Sequence, residues 1–209
     1  MVLAGCAEGQ RPAAGAASEG LAPAPPDVEL RDAKSAMVAG HEVPLDGVTE
    51  GLSWPALDHV VHRGARAVVV ISAPRDVPVA TVLRAVWTLR DATVRLQTTD
   101  AAGAPRVLEL RPKPDVPTET GCHLAVFVRP NGDLRVAAPG GPQEVSGHDA
   151  GSALARALAE ERARCTIRYI AFGATDESSP WGAVFDLART VDREKSAGDT
   201  RYVLAEPLR

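Results

Sequence analysis

Ala67 to Asp100, AVVVISAPRDVPVATVLRAVWTLRDATVRLQTTD, is the stretch whose reading decides the fold. Ala67 to Ile71 is a short apolar run rich in β-branched residues and closed by Ser72, Ala73 and Pro74, which predicts a buried strand. Pro78 then opens a helix. Val79, Val82, Leu83, Val86 and Leu89 recur at helical spacing, so one face packs while Arg84 and Arg90 point away. From Thr93 to Gln97 the pattern alternates, with Val94 and Leu96 on one side and Arg95 and Gln97 on the other, as in a half-buried strand.

Working outward, the same unit recurs as Ile167 to Pro207. Ile167 to Phe172 matches the first strand, Thr175 to Ser179 the turn, and Pro180 the helix start. Pairing Pro78 with Pro180 sets Val82 on Val184, Leu83 on Phe185 and Leu89 on Val191 without a gap. A repeat of this kind governs the whole architecture. Each copy also has the same prelude. Val28 to Leu30 and Ala36 to Val43 read as strands, and Ser53 caps a short helix with Leu57, Val60 and Val61 inward before Gly64. In the second copy His123 to Val128 and Leu134 to Ala138 flank Pro130-Asn131-Gly132-Asp133, a hairpin turn. Asp149 or a neighbour caps a helix with Leu154, Ala157 and Leu158 inward and Glu160, Glu161, Arg162 and Arg164 outward. Val107, Leu108 and Leu110 suggest a closing edge strand for the first copy.

The expectation is an α+β protein of two tandem β-β-α-β-α-β domains, each a mixed sheet with two helices on one face. Residues 1–26 read as a disordered tail, 27–110 as the first domain, 111–121 as a stiff linker with Pro112, Pro114 and Pro117, and 122–209 as the second domain. Domains of about 85 residues are near the lower end for an independent core, so each copy is expected to need the other. A sheet covered on one face leaves its other face open. Either its central strands are simply apolar throughout, or the copies, or two molecules, pack through the uncovered faces.

Composition narrows the function. The 209 residues are 45% hydrophobic and carry a net charge of -4, with aromatic residues at 4%. Such cores are aliphatic, and no basic stripe suggests nucleic-acid binding. No run approaches the roughly 18 apolar residues of a membrane span. Val2-Leu3-Ala4-Gly5-Cys6 has the form of a lipobox followed by an Ala/Gly/Pro-rich tract, although Met1 stands directly before it where a charged and apolar leader would lie. Either the leader lies upstream and Cys6 is the lipidation site, with a lipid anchor as the tie to a membrane, or Cys6 is a stray cysteine in a disordered Ala-rich tail. Cys122 and Cys165 are expected as buried free thiols, on the reasoning that they lie at opposite ends of the sheet, about 15 to 20 Å apart at the usual rise per residue. A disulfide needs Cα atoms within about 7 Å.

No catalytic constellation, metal site or cofactor cradle emerges. His59 and His62, with Asp58, lack the further ligands that a metal needs and read as exposed helix histidines. Pro139-Gly140-Gly141-Pro142 reads as a plain loop, and no serine or cysteine has a partnered base. Binding is expected instead at the two strand-to-helix corners. Arg75 and Asp76 stand in the first, Asp176 and Glu177 in the second, with Trp181 beside the latter either as a core aromatic or as a partner contact.

With these residues in view, the chain resembles the periplasmic domain of the ExbD/TolR biopolymer-transport family. Ala73, Arg75, Asp76, Val77 and Pro78 carry the resemblance, at the end of a Val/Ile strand and the start of a helix; the second copy has Asp176 and Glu177 where the basic residue would stand. The resemblance implies a non-catalytic module of the bacterial envelope, in the periplasm or anchored at the outer membrane, that docks on an envelope protein or peptidoglycan. No run in this sequence matches the family's transmembrane helix, so the resemblance implies binding without energy coupling. Family domains dimerise, and two copies on one chain would imitate that dimer. The alternative from another class is a secreted small-ligand-binding or enzymatic domain with its site between the copies.

Overall fold

The structure, a computed structural model, describes residues 21–45, 54–62, 67–89, 92–110, 122–138, 141–147, 150–164, 167–194 and 202–204. Cys6, the linker 111–121, Cys165 and the capping positions Ser53 and Asp149 lie outside the described residues. The first half runs β1 (Val28–Leu30), β2 (Ser35–Val38), β3 (His41–Pro44), α1 (Pro55–His62), β4 (Val68–Ser72), α2 (Val79–Thr88), β5 (Thr93–Thr99) and β6 (Pro105–Leu110). The second runs β7 (Cys122–Val128), β8 (Leu134–Ala138), β9 (Gly141–Val145), α3 (Ala150–Arg164), β10 (Ile167–Ala174), α4 (Trp181–Glu194) and β11 (Tyr202–Leu204).

The fold is α+β in two halves of like topology. The first sheet has six strands in the order β3-β2-β1-β4-β5-β6, and the second has five in the order β11-β10-β7-β8-β9. Matched element by element, β1, β2, β3, β4 and β5 correspond to β7, β8, β9, β10 and β11. Their pairing sense agrees as well: β4 is parallel to β1 and β5, β10 is parallel to β7 and β11, and the leading hairpins are antiparallel. β6 closes the first sheet antiparallel to β5 and lies near the edge of β11.

Each half carries one strand more before its first helix than the sequence suggested. The run from Ala36 to Val43 breaks into β2 and β3 at Ala39-Gly40, where φ is 50° and 81°, and the pairing of Val38 with His41 closes a two-residue turn. Two consecutive positive φ angles match the twist of a tight hairpin. In the second half Gly141 and Pro142, expected in a plain loop, begin β9. A proline is tolerated there because β9 is an edge strand and needs no donor on its free side. Residues 21–26, expected as the end of a disordered tail, are tied to the sheet. The Gln97 side chain donates to Ala24 O at 2.6 Å and accepts from Ala24 N at 2.8 Å.

β7 and β10 are adjacent and parallel, and Cys122 is the register partner of Ile167. The beginnings of both strands share one end of the sheet, so the reasoning that placed Cys122 and Cys165 at opposite ends fails.

The helices follow the expected stripes. Val79, Val82, Leu83 and Leu89 are buried, as are Leu154, Ala157 and Leu158 on α3 and Val184, Phe185 and Ala188 on α4. Glu161 departs from expectation: it is only 3% exposed, with Arg164 Nη1 at 3.6 Å from its Oε1. The buried apolar side chains of both halves form one continuous cluster, from Val28 to Ala188. At about 1.5–3 kcal/mol for each large aliphatic or aromatic side chain buried, this shared interior is the main source of stability, and neither half owns it alone.

Candidate functional site: the junction of the two halves

The first N–H groups of any helix have no partner within it, and a Ser, Thr, Asp or Asn at the N-cap ordinarily satisfies one of them. The residues at this position in α2 and α4 are Pro78 and Pro180, which cannot do so, and Pro78 makes no side-chain cap hydrogen bond. The other half supplies the acceptors. Val79 N donates to Ser179 O at 2.8 Å and Ala80 N to Glu177 O at 3.2 Å. Reciprocally, Trp181 N donates to Val77 O at 2.8 Å and Gly182 N to Arg75 O at 2.8 Å.

In the register that puts Pro78 on Pro180, these four bonds form two equivalent pairs. Pro78 and Pro180 themselves face each other as an antiparallel bridge. The junction therefore has a pseudo-twofold axis between the two prolines. Carbonyl oxygens carry partial negative charge, and the helix N-terminus to which each points is the end that favours it. The resemblance extends inward: Thr88 Oγ donates to Arg84 O at 2.8 Å, and at the matching place Thr190 Oγ donates to Asp186 O at 3.0 Å.

Side chains complete the junction unequally. Arg75 reaches across and grips Asp186 with both arms, Nη1 to Oδ1 at 3.0 Å and Nη2 to Oδ2 at 2.6 Å. Its Nη1 also donates to Thr99 O at 2.9 Å, and Nη2 lies 3.4 Å from Gly182 O. The carboxylate raises the Arg75 pKa above its ordinary value, with partial burial opposing, so the guanidinium is charged at every physiological pH. This geometry requires the glycine at 182. A Cβ there would stand 2.9 Å from Arg75 Cζ and Nε and 3.0 Å from Arg75 Cβ. Below the bridge Trp181 is wholly buried, with its ring 5.8 Å from that of Phe185 and tilted at 62°.

The sequence-predicted site residues thus divide. Trp181 is packed core, which settles its two readings in favour of the interior. Arg75 is paired with Asp186 within the molecule. Asp176 is exposed and organises its own corner, accepting from Ser178 N at 2.7 Å and Ser178 Oγ at 2.5 Å; these bonds hold its carboxyl below the ordinary value. Asp76 and Glu177 are exposed. The halves meet at these corners, and β11 and α4 of the second half also approach β6 and β5 of the first. Among the described residues no three His, Cys, Asp or Glu side chains gather as a metal site would require.

Sequence reasoning picked the corners but missed Gly182 and Asp186, the residues that receive Arg75. A signal existed: both repeat helices lack a capping side chain at the same position, which marks their first amides as served from elsewhere. Compared with protein families, characterised proteins and solved structures, the chain matches none.

Proposed function

We propose that the protein is a non-catalytic binding module of the bacterial cell envelope. It docks on an envelope protein or on peptidoglycan, as its resemblance to the periplasmic part of ExbD/TolR transport proteins implies. One observation carries this reading: the two halves cap each other's helices about a pseudo-twofold axis, an internal version of the paired domains that the family forms from separate chains. Joining both copies on one chain turns association into an intramolecular step and removes much of its entropic cost. The charged groups at the corners support a structural rather than a chemical role, since Arg75 is held by Asp186 and Asp176 by its own turn.

A ligand site between the copies has less support, because reciprocal backbone bonds and the buried Trp181 and Phe185 occupy the junction. Docking is assigned to surfaces outside it, with Asp76, Asp176 and Glu177 the exposed acidic side chains of the two corners. No helix among the described residues is long and apolar enough to cross a membrane. In this reading the tie to the membrane is a lipid on Cys6, and the location is the periplasm or the outer membrane.

Co-sedimentation with purified cell-wall sacculi, alongside pull-down from an envelope extract, tests the proposal. Saturable pelleting, or capture of a defined envelope protein, is the expected result. Failure of both, together with a melting temperature raised by a small metabolite, would transfer support to the ligand-binding alternative.

A further inference from the structure

The pseudo-twofold axis makes a prediction about charge that the repeat itself does not satisfy. Arg75 and Asp186 form the ion pair on one side of the axis. In the register of Pro78 on Pro180, their counterparts on the other side are Glu177 and Arg84. The positions are matched by bonding as well as by numbering. Asp186 stands one helical turn beyond Gly182, whose N–H is bonded to Arg75 O; Arg84 stands one turn beyond Ala80, whose N–H is bonded to Glu177 O. The first half therefore presents two positive charges at these places and the second presents two negative ones.

Every other pairing of the same surfaces is repulsive. Two first halves joined about this axis would set Arg75 against Arg84 on both sides, and two second halves would set Glu177 against Asp186 on both sides. Only the pairing of first with second puts opposite charges at both matched places, and one of the two is closed into an ion pair, Arg75 with Asp186. Like charges juxtaposed at an interface discriminate strongly between partners, and specificity commonly includes such a repulsive element.

We infer that Arg75, Arg84, Glu177 and Asp186 form a pairing code. It makes the junction specific for the other half of the same chain and bars the exchange by which two chains would pair like half with like. Exchange of equivalent elements is an otherwise low-cost route to dimers. A duplicated domain that began as a self-pairing surface would be exposed to it unless its copies diverged in charge.

The test uses the full chain, with mass by light scattering and melting temperature as readouts. Arg84→Asp with Asp186→Arg makes the first-with-second pairing repulsive on both sides and both like pairings attractive. Adding Arg75→Asp and Glu177→Arg to these two reverses all four charges and restores the original complementarity. The double variant is expected to double its mass relative to the unaltered chain by exchanging halves. The quadruple variant is expected to return to the original mass and melting temperature. Should the double variant unfold instead, recovery in the quadruple variant, which contains the same two substitutions, still assigns the pairing to charge. A double variant unchanged in mass and melting temperature overturns the inference, as does a quadruple variant that behaves like the double.

Discussion

Val79 and Trp181 occupy the same position in the two repeats, and each donates its backbone N–H across the junction to the residue that precedes the other half's proline, Ser179 and Val77 respectively, at 2.8 Å. Helix capping is usually a local matter, settled within a few residues by a polar side chain. Here it is long-range and reciprocal. The helices cannot both be fully satisfied unless the halves are together, which couples local helix stability to the assembly of the whole chain.

That coupling can be measured at Val79. Val79→Pro removes the N–H but suits the first helical position, since proline at this place has the right φ and Pro78 before it is already extended, with ψ 138°. Val79→Ala removes the buried side chain and retains the N–H. The proline variant is expected to be less stable than the alanine variant by about 1–3 kcal/mol, the cost of leaving Ser179 O buried without its donor. Urea unfolding of the two variants reads the difference, and equal midpoints would show the bond to be dispensable.

Gly182→Ala sets two effects against each other. Alanine is favoured over glycine within a helix by about 1 kcal/mol. Its Cβ, however, would meet the Arg75 side chain at 2.9–3.0 Å, so Arg75 must move and its two-armed grip on Asp186 loosens. Because the contact includes Arg75 Cβ and not only the flexible tip, the clash is expected to win. The variant should unfold at lower urea, and in the background of Arg75→Gly, which removes the Cβ together with the guanidinium, the same substitution should become neutral or stabilising. A gain in stability in the presence of Arg75 would refute this account.

Much of this architecture was legible in the chain because the repeat is written in local signals. Pro78 and Pro180 at helix starts, β-branched runs such as Val68 to Ile71, and helical stripes such as Val82 and Leu83 all act within a few residues. What escaped was set by distant contacts. Arg75 looks like a surface charge until Gly182 and Asp186 are brought to it from the other repeat. Gln97 sits on the polar side of an alternating strand, yet it is buried because residue 24 crosses over it. The break between β2 and β3 was hidden for a different reason. Its first turn residue is Ala39, and alanine gives no turn signal.

Ala39 is itself a test. It holds φ at 50°, in the left-handed region, where an L-residue with a Cβ loses about 1–2 kcal/mol. Gly40 beside it, at φ 81°, pays no such penalty. Ala39→Asn keeps the turn and replaces alanine with a residue that tolerates this conformation and is favoured in hairpins of this type. Melting temperature is expected to rise, with stability increased by roughly 0.5–1 kcal/mol, without effect on the junction. A loss of stability would mean that the turn differs from the one described.

Three turns should contribute to the acid sensitivity of the fold. The carboxyls of Asp32, Asp100 and Asp176 are all held below their ordinary value of 3.8 in the folded chain. The largest causes are the Lys34 N–H for Asp32, the Arg106 side chain for Asp100 and the Ser178 side chain for Asp176. A folded value below the unfolded one means that the unfolded chain binds more protons across the interval, so stability rises with pH there. The contribution is complete above the ordinary carboxylate range, near pH 4 to 5, and is lost as pH falls through the lowered values. Asp100 offers the sharpest case, because Arg106 Nε at 2.9 Å, Ala104 N at 2.9 Å and Ala102 N at 3.0 Å all bond to it and fix the turn between β5 and β6. Asp100→Asn removes the titrating group. Urea midpoints measured downward from neutral pH should therefore fall less steeply in this variant than in the unaltered chain once the acid range is entered; parallel curves would place the acid sensitivity elsewhere.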